Sequence, residues 1–366
     1  MNVAHVFWSL GFGGIETMLV NIANSQTAAG AEVSVVIIND AWDESLLRAF
    51  RQDVRVVLLH RRYRSKGLGF IFRLNSALRR IDPDVVHLHD PRLFGVMFSR
   101  RLRRRTCATL HDVPYGTLGV TSRIRDCLPF INFMCSGNVA YLDLVPRVFS
   151  ISEAVASELH DKYGIGSVVV NNGINTAAFS KRPLGRAAQR PLRMVQVSRL
   201  VHQKKGQDLL LEAVARMNGA VCADFIGVGS SLEYLQKMAA RLGVESLVRF
   251  LGKKPQAYIM ENLQSYDLFV QPSRYEGFGL TVAEAMASRL PVLVSAGQGP
   301  AEVTCGDKYG WTFANGNVDD LVHTLTYINN HFQEVLFKAE NARKYVIGTY
   351  DVSVTANRYL EEYKKI

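Results

Sequence analysis

Residues 1–38, MNVAHVFWSLGFGGIETMLVNIANSQTAAGAEVSVVII, decide the fold. Ala4 to Trp8 is a short apolar run, and Gly11, Gly13 and Gly14 make the turn after it. Glu16 to Ala28 follows with a helical spacing of apolar positions, and Glu32 to Ile38 is again apolar and rich in β-branched residues. Brief apolar runs bounded by turn residues are buried strands, so this segment reads as strand, helix, strand, the repeating unit of a parallel sheet.

Working outward, the same alternation recurs twice. Val54 to Leu59, Val85 to Leu88, Cys107 to Leu110, Val148 to Ile151 and Val168 to Val170 continue the strands, with a helix over Ile71 to Ile81. After residue 190 a second series begins. Its strands are Arg193 to Val197, Ala223 to Ile226, Val248 to Leu251, Leu268 to Gln271 and Val292 to Val294, and its helices are Gln207 to Met217 and Leu232 to Leu242. Between the two series, Lys181 to Pro191 (KRPLGRAAQRP) is polar, basic and punctuated by two prolines and a glycine, the composition of an interdomain linker. The expected class is α/β, two doubly wound Rossmann-like domains facing across a cleft, and 366 residues is the right length for two. Ligands in such sheets sit beyond the carboxyl ends of the strands.

Composition narrows the function classes. Hydrophobic residues at 48% and charged residues at 21% exclude a disordered chain. No apolar run approaches the ~18 residues of a membrane span. The first Lys or Arg is Arg48, so the basic start of a secretory signal is not seen and a cytoplasmic location is expected. Cys107, Cys127, Cys135, Cys222 and Cys305 are dispersed without C-x-x-C spacing, which argues against a disulfide framework and against zinc.

The net charge of +10 is concentrated. Residues 48 to 105 hold sixteen Lys and Arg against four acids, whereas residues 1 to 47 hold five acids and no Lys or Arg. Such a zone attracts an acidic substrate, an anionic membrane or nucleic acid. Against nucleic acid, the window lacks interleaved stacking aromatics and a recognition-helix motif. Leu93 to Phe98 ahead of Arg100, Arg101, Arg103, Arg104 and Arg105 reads as a helix with Leu93, Val96 and Met97 on one face and the arginines at its end. That pattern fits peripheral docking on the cytoplasmic face of the inner membrane, or plain packing on the sheet with solvated arginines.

Five constellations could carry chemistry. Gly13 and Gly14 open a helix, where backbone N–H groups meet an anion, although the spacing is not the dinucleotide fingerprint. His111 stands at a strand end beside Asp112, whereas His87 lies inside its strand and reads as core. A metal cluster of His87, His89 and His111 with Asp90 and Asp112 is set aside, because the His-x-His pair follows strand periodicity. Arg199 and Lys205 follow another strand and suit a diphosphate. Gly227 and Gly229 allow a close backbone approach after the next strand. Tyr275 to Ala287 places Glu276 in a Gly-rich loop and Glu284 in the helix behind it. Asp82-Pro83-Asp84 mimics a metal-binding D-x-D but reads as a turn before a strand.

Taken together, Gly13-Gly14-Ile15-Glu16, His111-Asp112, Asn172-Gly173-Ile174, Ser198-Arg199-Leu200 with Lys205-Gly206, and Glu276 through Glu284 resemble the retaining glycosyltransferases of family 4. The resemblance runs from residue 1 to the C-terminus, where Tyr350 to Tyr363 is similar to that family's last helix returning to the first domain. One departure is Asn175, where the family often has an acid after Asn-Gly-Ile.

The resemblance implies a GT-B fold. An acceptor-side domain would span 1–178 and be completed by residues 350–366, and a donor domain would span 179–349. It implies a retaining, metal-independent hexosyltransferase needing no cofactor, with a UDP- or GDP-sugar as co-substrate and a glycan or lipid-linked acceptor. The setting implied is assembly of O-antigen, capsule or exopolysaccharide. Arg199 and Lys205 would hold the diphosphate, with Gly13, Gly14 and Gly229 assisting. Glu276 would face the sugar away from those cations, Glu284 the ribose, and the backbone of Phe278, Gly279 and Leu280 the phosphates. His111 would lie near the sugar and the leaving phosphate. The competing readings are a nucleotide-sugar epimerase of the same fold, or a basic membrane- or nucleic-acid-binding protein without catalytic activity.

Overall fold

The computed structural model of the protein describes residues 1–11, 13–116, 118, 137–183 and 190–366. Cys127 and Cys135 lie outside these residues. Two compact units emerge, Met1–Gly173 with Val352–Ile366, and Ile174–Asp351.

The first unit holds β1 (Asn2–Phe7), β2 (Glu32–Asn39), β3 (Arg55–Arg61), β4 (Val85–Leu88), β5 (Thr106–Leu110), β6 (Arg147–Ser150) and β7 (Val168–Val169). Their order is β3-β2-β1-β4-β5-β6-β7 and the paired strands run parallel. The second unit holds β8 (Leu192–Val197), β9 (Val221–Ile226), β10 (Val248–Phe250), β11 (Leu268–Gln271), β12 (Val292–Ser295) and β13 (Trp311–Phe313). Its order, β10-β9-β8-β11-β12-β13, repeats the first pattern. Each order reverses direction once, between β1 and β4 and between β8 and β11, and at such switch points open α/β sheets bind ligands.

Burial explains why these stretches were readable. Val33 and Val35 to Ile38 are fully or almost fully buried, as are Val3, Ala4 and Val6, because helices cover both faces of the sheet. One apolar cluster in the first unit joins Leu19, Val20 and Ala23 of the helix Gly14–Ala28 to Val33, Val35 and Ile37. The opposite side joins Met18, Ile22, Val85 and Phe149 to Tyr359 and Tyr363 of the terminal helix Val352–Tyr363. Glu362 of that helix is buried and pairs with Arg147 at the start of β6. A core cluster in the second unit runs from Leu192 and Met194 through Phe225 and Leu268 to Phe332 and Val335.

Two sequence readings need correction. Lys181 to Pro191 is not an interdomain linker in its described part. Arg182 lies inside the second unit, fully buried, with its guanidinium 2.9 Å from Asp267 and a further hydrogen bond to the Tyr266 carbonyl. Composition alone could not reveal the acid waiting on the loop before β11. Residues 184–189 of that stretch lie outside the described residues. Leu93 to Phe98 is likewise no α-helix with a face free for docking, and of its two readings packing inside the unit is the one found. Pro91–Val96 is a 3-10 turn with Leu93, Val96 and Met97 buried, and the arginines form a separate short helix, Arg100–Arg104. Gly95 within it opposes a regular α-helix there.

Asp82 caps the helix Gly69–Ile81 with a left-handed backbone, and Asp84 accepts from the Asn2 backbone N–H, so Asp82-Pro83-Asp84 is a turn. Among the described residues, no helix is long and apolar enough to cross a membrane.

Candidate active site

At the switch point of the second unit, β8 ends at Val197 and β11 at Gln271. Beyond β8 the chain passes Arg199 and a single helical turn, His202–Lys205, closed by Gly206 in the left-handed region. A Cβ on Gly206 would strike the Pro272 carbonyl, so only glycine lets the two strand ends approach this closely. Arg274 locks the contact from the other side, gripping Asp208 through both guanidinium nitrogens at 2.7 and 2.8 Å and donating to the His202 carbonyl at 2.9 Å. The rigid seam places Lys205 against Glu276.

The two side chains form an ion pair, 11% and 18% exposed. The same Glu276 Oε2 accepts from Ser273 Oγ at 3.1 Å and from Gln271 Nε2 at 3.3 Å, while Gln298 Oε1 receives the Glu276 backbone N–H at 3.2 Å. The expectation that Glu276 sits away from the diphosphate cations is therefore wrong: its carboxylate rests on one of them. A carboxylate in a half-buried, amide-lined loop needs a counter-charge, and Lys205 is the cation the fold delivers. Arg199 differs. It is exposed and, among the described residues, makes no side-chain hydrogen bond or ion pair. Gln271, Ser273, Gln298, Arg274 and Asp208 were not singled out from sequence, because short polar residues near a strand end carry no signal until the strands are paired.

Gly279 caps the helix Leu280–Ala287 with φ +99°, and no side-chain hydrogen bond caps that end. Leu280 is half-buried, Gly277 and Gly279 are buried, and the Phe278 side chain is buried edge-on against Tyr350, 5.4 Å between ring centres. Gly227 and Gly229 are required by the chain itself, since a Cβ on either would meet the backbone of Ser198 or Leu200.

Glu284 does not join the cations. It is buried in the helix Leu280–Ala287 and accepts from Gln256 Nε2 at 2.8 Å. Burial pushes its carboxyl up to about 7, against the smaller opposing effect of Gln256. The folded protein therefore holds this proton to higher pH than the unfolded chain does. Stability from this group is full below about 4.5 and is lost as pH rises to about 7. Glu284→Gln should be more stable than wild type by about 3 kcal/mol at pH 8 and equal to it near pH 4. Urea titrations at the two pH values check this.

In the first unit, Gly13 caps the helix Gly14–Ala28 without a side-chain hydrogen bond, and the Glu16 carboxylate folds back against the Gly13 α-carbon. That carboxylate stands where an incoming anion would approach the exposed Gly14. The carboxyl ends of β1, β4 and β5 carry the histidines. His5 and His87 are partners in adjacent strands. His89 follows β4 and His111 follows β5. Burial holds His5 and His111 down to about 4 and His87 and His89 well below the usual histidine range, so all four are neutral at pH 7. His87 bonds Tyr363 at 2.6 Å and Thr109 at 2.7 Å, the core role read from its strand position.

His5, His87 and His89 also offer nitrogens within 4.8 Å of one another. Their six ring nitrogens are all engaged by protein partners, and no carboxylate completes the set. A cation there would have to break those bonds.

Comparison with known proteins agrees with this arrangement. Residues 12–178 match the family model "Glycosyltransferase Family 4" and residues 180–344 match "Glycosyl transferases group 1". The lipopolysaccharide 1,6-galactosyltransferase of Salmonella typhimurium is 23% identical over 87% of this chain and 86% of its own length. The lipopolysaccharide core biosynthesis glycosyltransferase LpsE of Rhizobium meliloti is 25% identical over 95% of each. Among solved structures, Anabaena Alr3699/HepE in complex with UDP-glucose superposes with a TM-score of 0.79 at 21% identity, covering all of both chains, which establishes the GT-B fold. Two doubly wound units in one strand order, and family matches over nearly the whole chain, show that the protein is a glycosyltransferase belonging to family 4.

Proposed function

We propose that the protein transfers a sugar, with retention at the anomeric carbon, from a nucleotide-diphosphate sugar to a glycan or lipid-linked acceptor in cell-surface polysaccharide assembly. The observation that carries this reading is the set of groups at the β8/β11 switch point. Arg199 is exposed beyond β8, and Lys205 is held on Glu276 by a rigid seam. The Gly279 helix end is uncapped by any side chain. These groups suit the negative charge that grows on a departing diphosphate. In this reading they do so without a metal ion. No carboxylate is poised as a covalent nucleophile in this reading: Glu276 is tied to Lys205, and Glu284 is buried against Gln256. Retention then follows from front-face attack, with the leaving phosphate taking the acceptor's proton. The named relatives that build lipopolysaccharide, and the UDP-glucose complex of the Anabaena protein, favour a UDP-sugar donor and a surface-glycan acceptor.

A panel of UDP-, GDP- and ADP-sugars, read by thermal stabilisation with EDTA present, tests the donor assignment, since a ligand at a hundred times its Kd adds about 2.7 kcal/mol. One base series is expected to stabilise. Product analysis with and without acceptor separates transfer from epimerisation, which would alter the donor alone.

A separate observation favours peripheral docking on an anionic membrane. Phe72 and Phe98 are 70% and 48% exposed, with rings 5.9 Å apart, and Arg73, Arg100 and Arg101 beside them in sequence are exposed too. These aromatics replace Leu93, Val96 and Met97 as the apolar contact, and each nearby cation adds about 1 kcal/mol at an anionic surface. In liposome flotation, binding should require anionic lipid, weaken with salt, and fall in both Phe72→Ser/Phe98→Ser and Arg100→Ser/Arg101→Ser. Equal recovery on neutral vesicles refutes docking.

A further inference from the structure

The first unit contains an unbroken line of hydrogen-bonded rings. Gln26 Oε1 lies 2.8 Å from His5 Nε2, His5 Nδ1 lies 3.0 Å from His89 Nε2, and His89 Nδ1 lies 2.9 Å from His111 Nε2. Gln26, His5 and His89 are buried. At the end of the line, His111 Nδ1 is buried and, among the described residues, has no hydrogen-bond partner.

A neutral imidazole carries one N–H, so each ring in such a line donates on one side and accepts on the other. Fixing one end fixes every tautomer. Gln26 supplies that end. Its carbonyl oxygen can only accept, so His5 carries its proton on Nε2 and exposes a lone pair at Nδ1. His89 must then donate from Nε2 and accept at Nδ1, and His111 donates from Nε2. The remaining nitrogen, His111 Nδ1, is left without a proton.

A second branch is consistent with this orientation of the amide. Gln26 Nε2 points at Tyr363 Oη, 3.4 Å away, and that hydroxyl contacts His87 Nδ1 at 2.6 Å. Burial raises the Tyr363 phenol well above its ordinary range, so it keeps its proton and, with Gln26 Nε2 donating to its oxygen, has that proton free to donate to His87. His87 passes the pattern on from Nε2 to Thr109, whose hydroxyl lies 3.1 Å from Tyr359. Amide, phenol and rings thus agree on one direction of donation.

We propose that Gln26 is a positioning residue for the active site: through His5 and His89 it sets the tautomer of His111, so that His111 presents an unprotonated Nδ1 as a hydrogen-bond acceptor. A lone pair there suits a substrate hydroxyl and not a phosphate oxygen. The structural part stands alone; its effect on catalysis rests on His111 acting at the sugar, as in the reading above.

The test uses the full-length protein, with histidine tautomers read by long-range 15N–1H NMR, His111 being assigned from the His111→Asn spectrum. In wild type, His111 should carry its proton on Nε2. Gln26→Glu keeps an acceptor and should keep both that pattern and turnover. Gln26→Met removes the acceptor at similar volume, so the single His111 pattern should be lost. Turnover should then fall by at least about tenfold, with nucleotide-diphosphate affinity unchanged as the sign that the protein remains folded. A wild-type His111 protonated on Nδ1, or an unaltered His111 in Gln26→Met, overturns the proposal. A shifted tautomer with unaltered turnover upholds control by Gln26 and overturns the catalytic role given to His111.

Discussion

Glu276→Ala should lose most transfer activity, about 100-fold or more if the sugar is no longer held for attack, while its affinity for free nucleotide diphosphate is kept or rises. The reason for the second half is the ion pair. In the folded protein Lys205 is bound to Glu276, so a diphosphate must share or displace that contact. Removing the carboxylate frees the ammonium for phosphate. Lys205→Met should act in the opposite sense. It loses a charge-assisted contact worth about 1.5–3 kcal/mol and leaves Glu276 beside the incoming diphosphate, still bound to Gln271 and Ser273 but without its cation. The double variant should bind nucleotide diphosphate better than Lys205→Met alone. Calorimetry on the four proteins measures this coupling, and additive losses would show that the pair does not matter to the ligand. Arg199→Ala, with no pair to disturb, should weaken binding without such coupling.

The largest stability effect is expected at Arg182. Its side chain is fully buried and its charge is met by Asp267, which also receives the Arg193 backbone N–H at 3.0 Å. Removing one member of a buried pair typically costs about 3–5 kcal/mol, because the other charge is left without a partner. Arg182→Met should therefore lower the melting temperature of the second unit by roughly 10 °C, and adding Asp267→Asn should restore part of the loss. Arg182 backbone groups bond Ser288 and Arg289 at 2.9 Å in both variants, so the segment stays anchored. A drop of under about 1 kcal/mol in Arg182→Met would mean that water reaches the site.

The contrast between Arg182 and β11 shows what was legible in the sequence. Leu268–Gln271 was placed residue for residue, because four apolar-to-polar positions between turns announce a buried strand whatever lies beside it. Arg182 was misplaced because its meaning depends on an acid 85 positions away. The same limit governed the site. Glu276, Lys205 and Arg199 were identifiable as residues, since glycines and cations beyond strand ends carry a local signal. The pairing of Lys205 with Glu276 was not, because it is made by the seam between β8 and β11. β13 escaped notice for a different reason: three residues, Trp311–Phe313, are too few to show a period. The helix Phe332–Tyr350 was missed with it, its polar residues mixed among apolar ones and Gly348 near its end. The line from Gln26 to His111 spans a helix and three strand ends, so the sequence offered only isolated histidines.

The return of Val352–Tyr363 to the first unit makes that unit discontinuous, and synthesis is vectorial. Residues 1–173 leave the ribosome long before Tyr359 and Tyr363, the side chains that close one of their two apolar clusters and hold His87 and Gln26. Until then the opposite cluster, built from residues 10–58, can form, but the histidine line lacks its cover. The second unit, whose sequence is uninterrupted, needs none of these late residues for its core. The half made first can thus be finished only when the last residues are released, and a chain truncated after Asp351 would carry the whole of the second unit with the histidine face of the first still open.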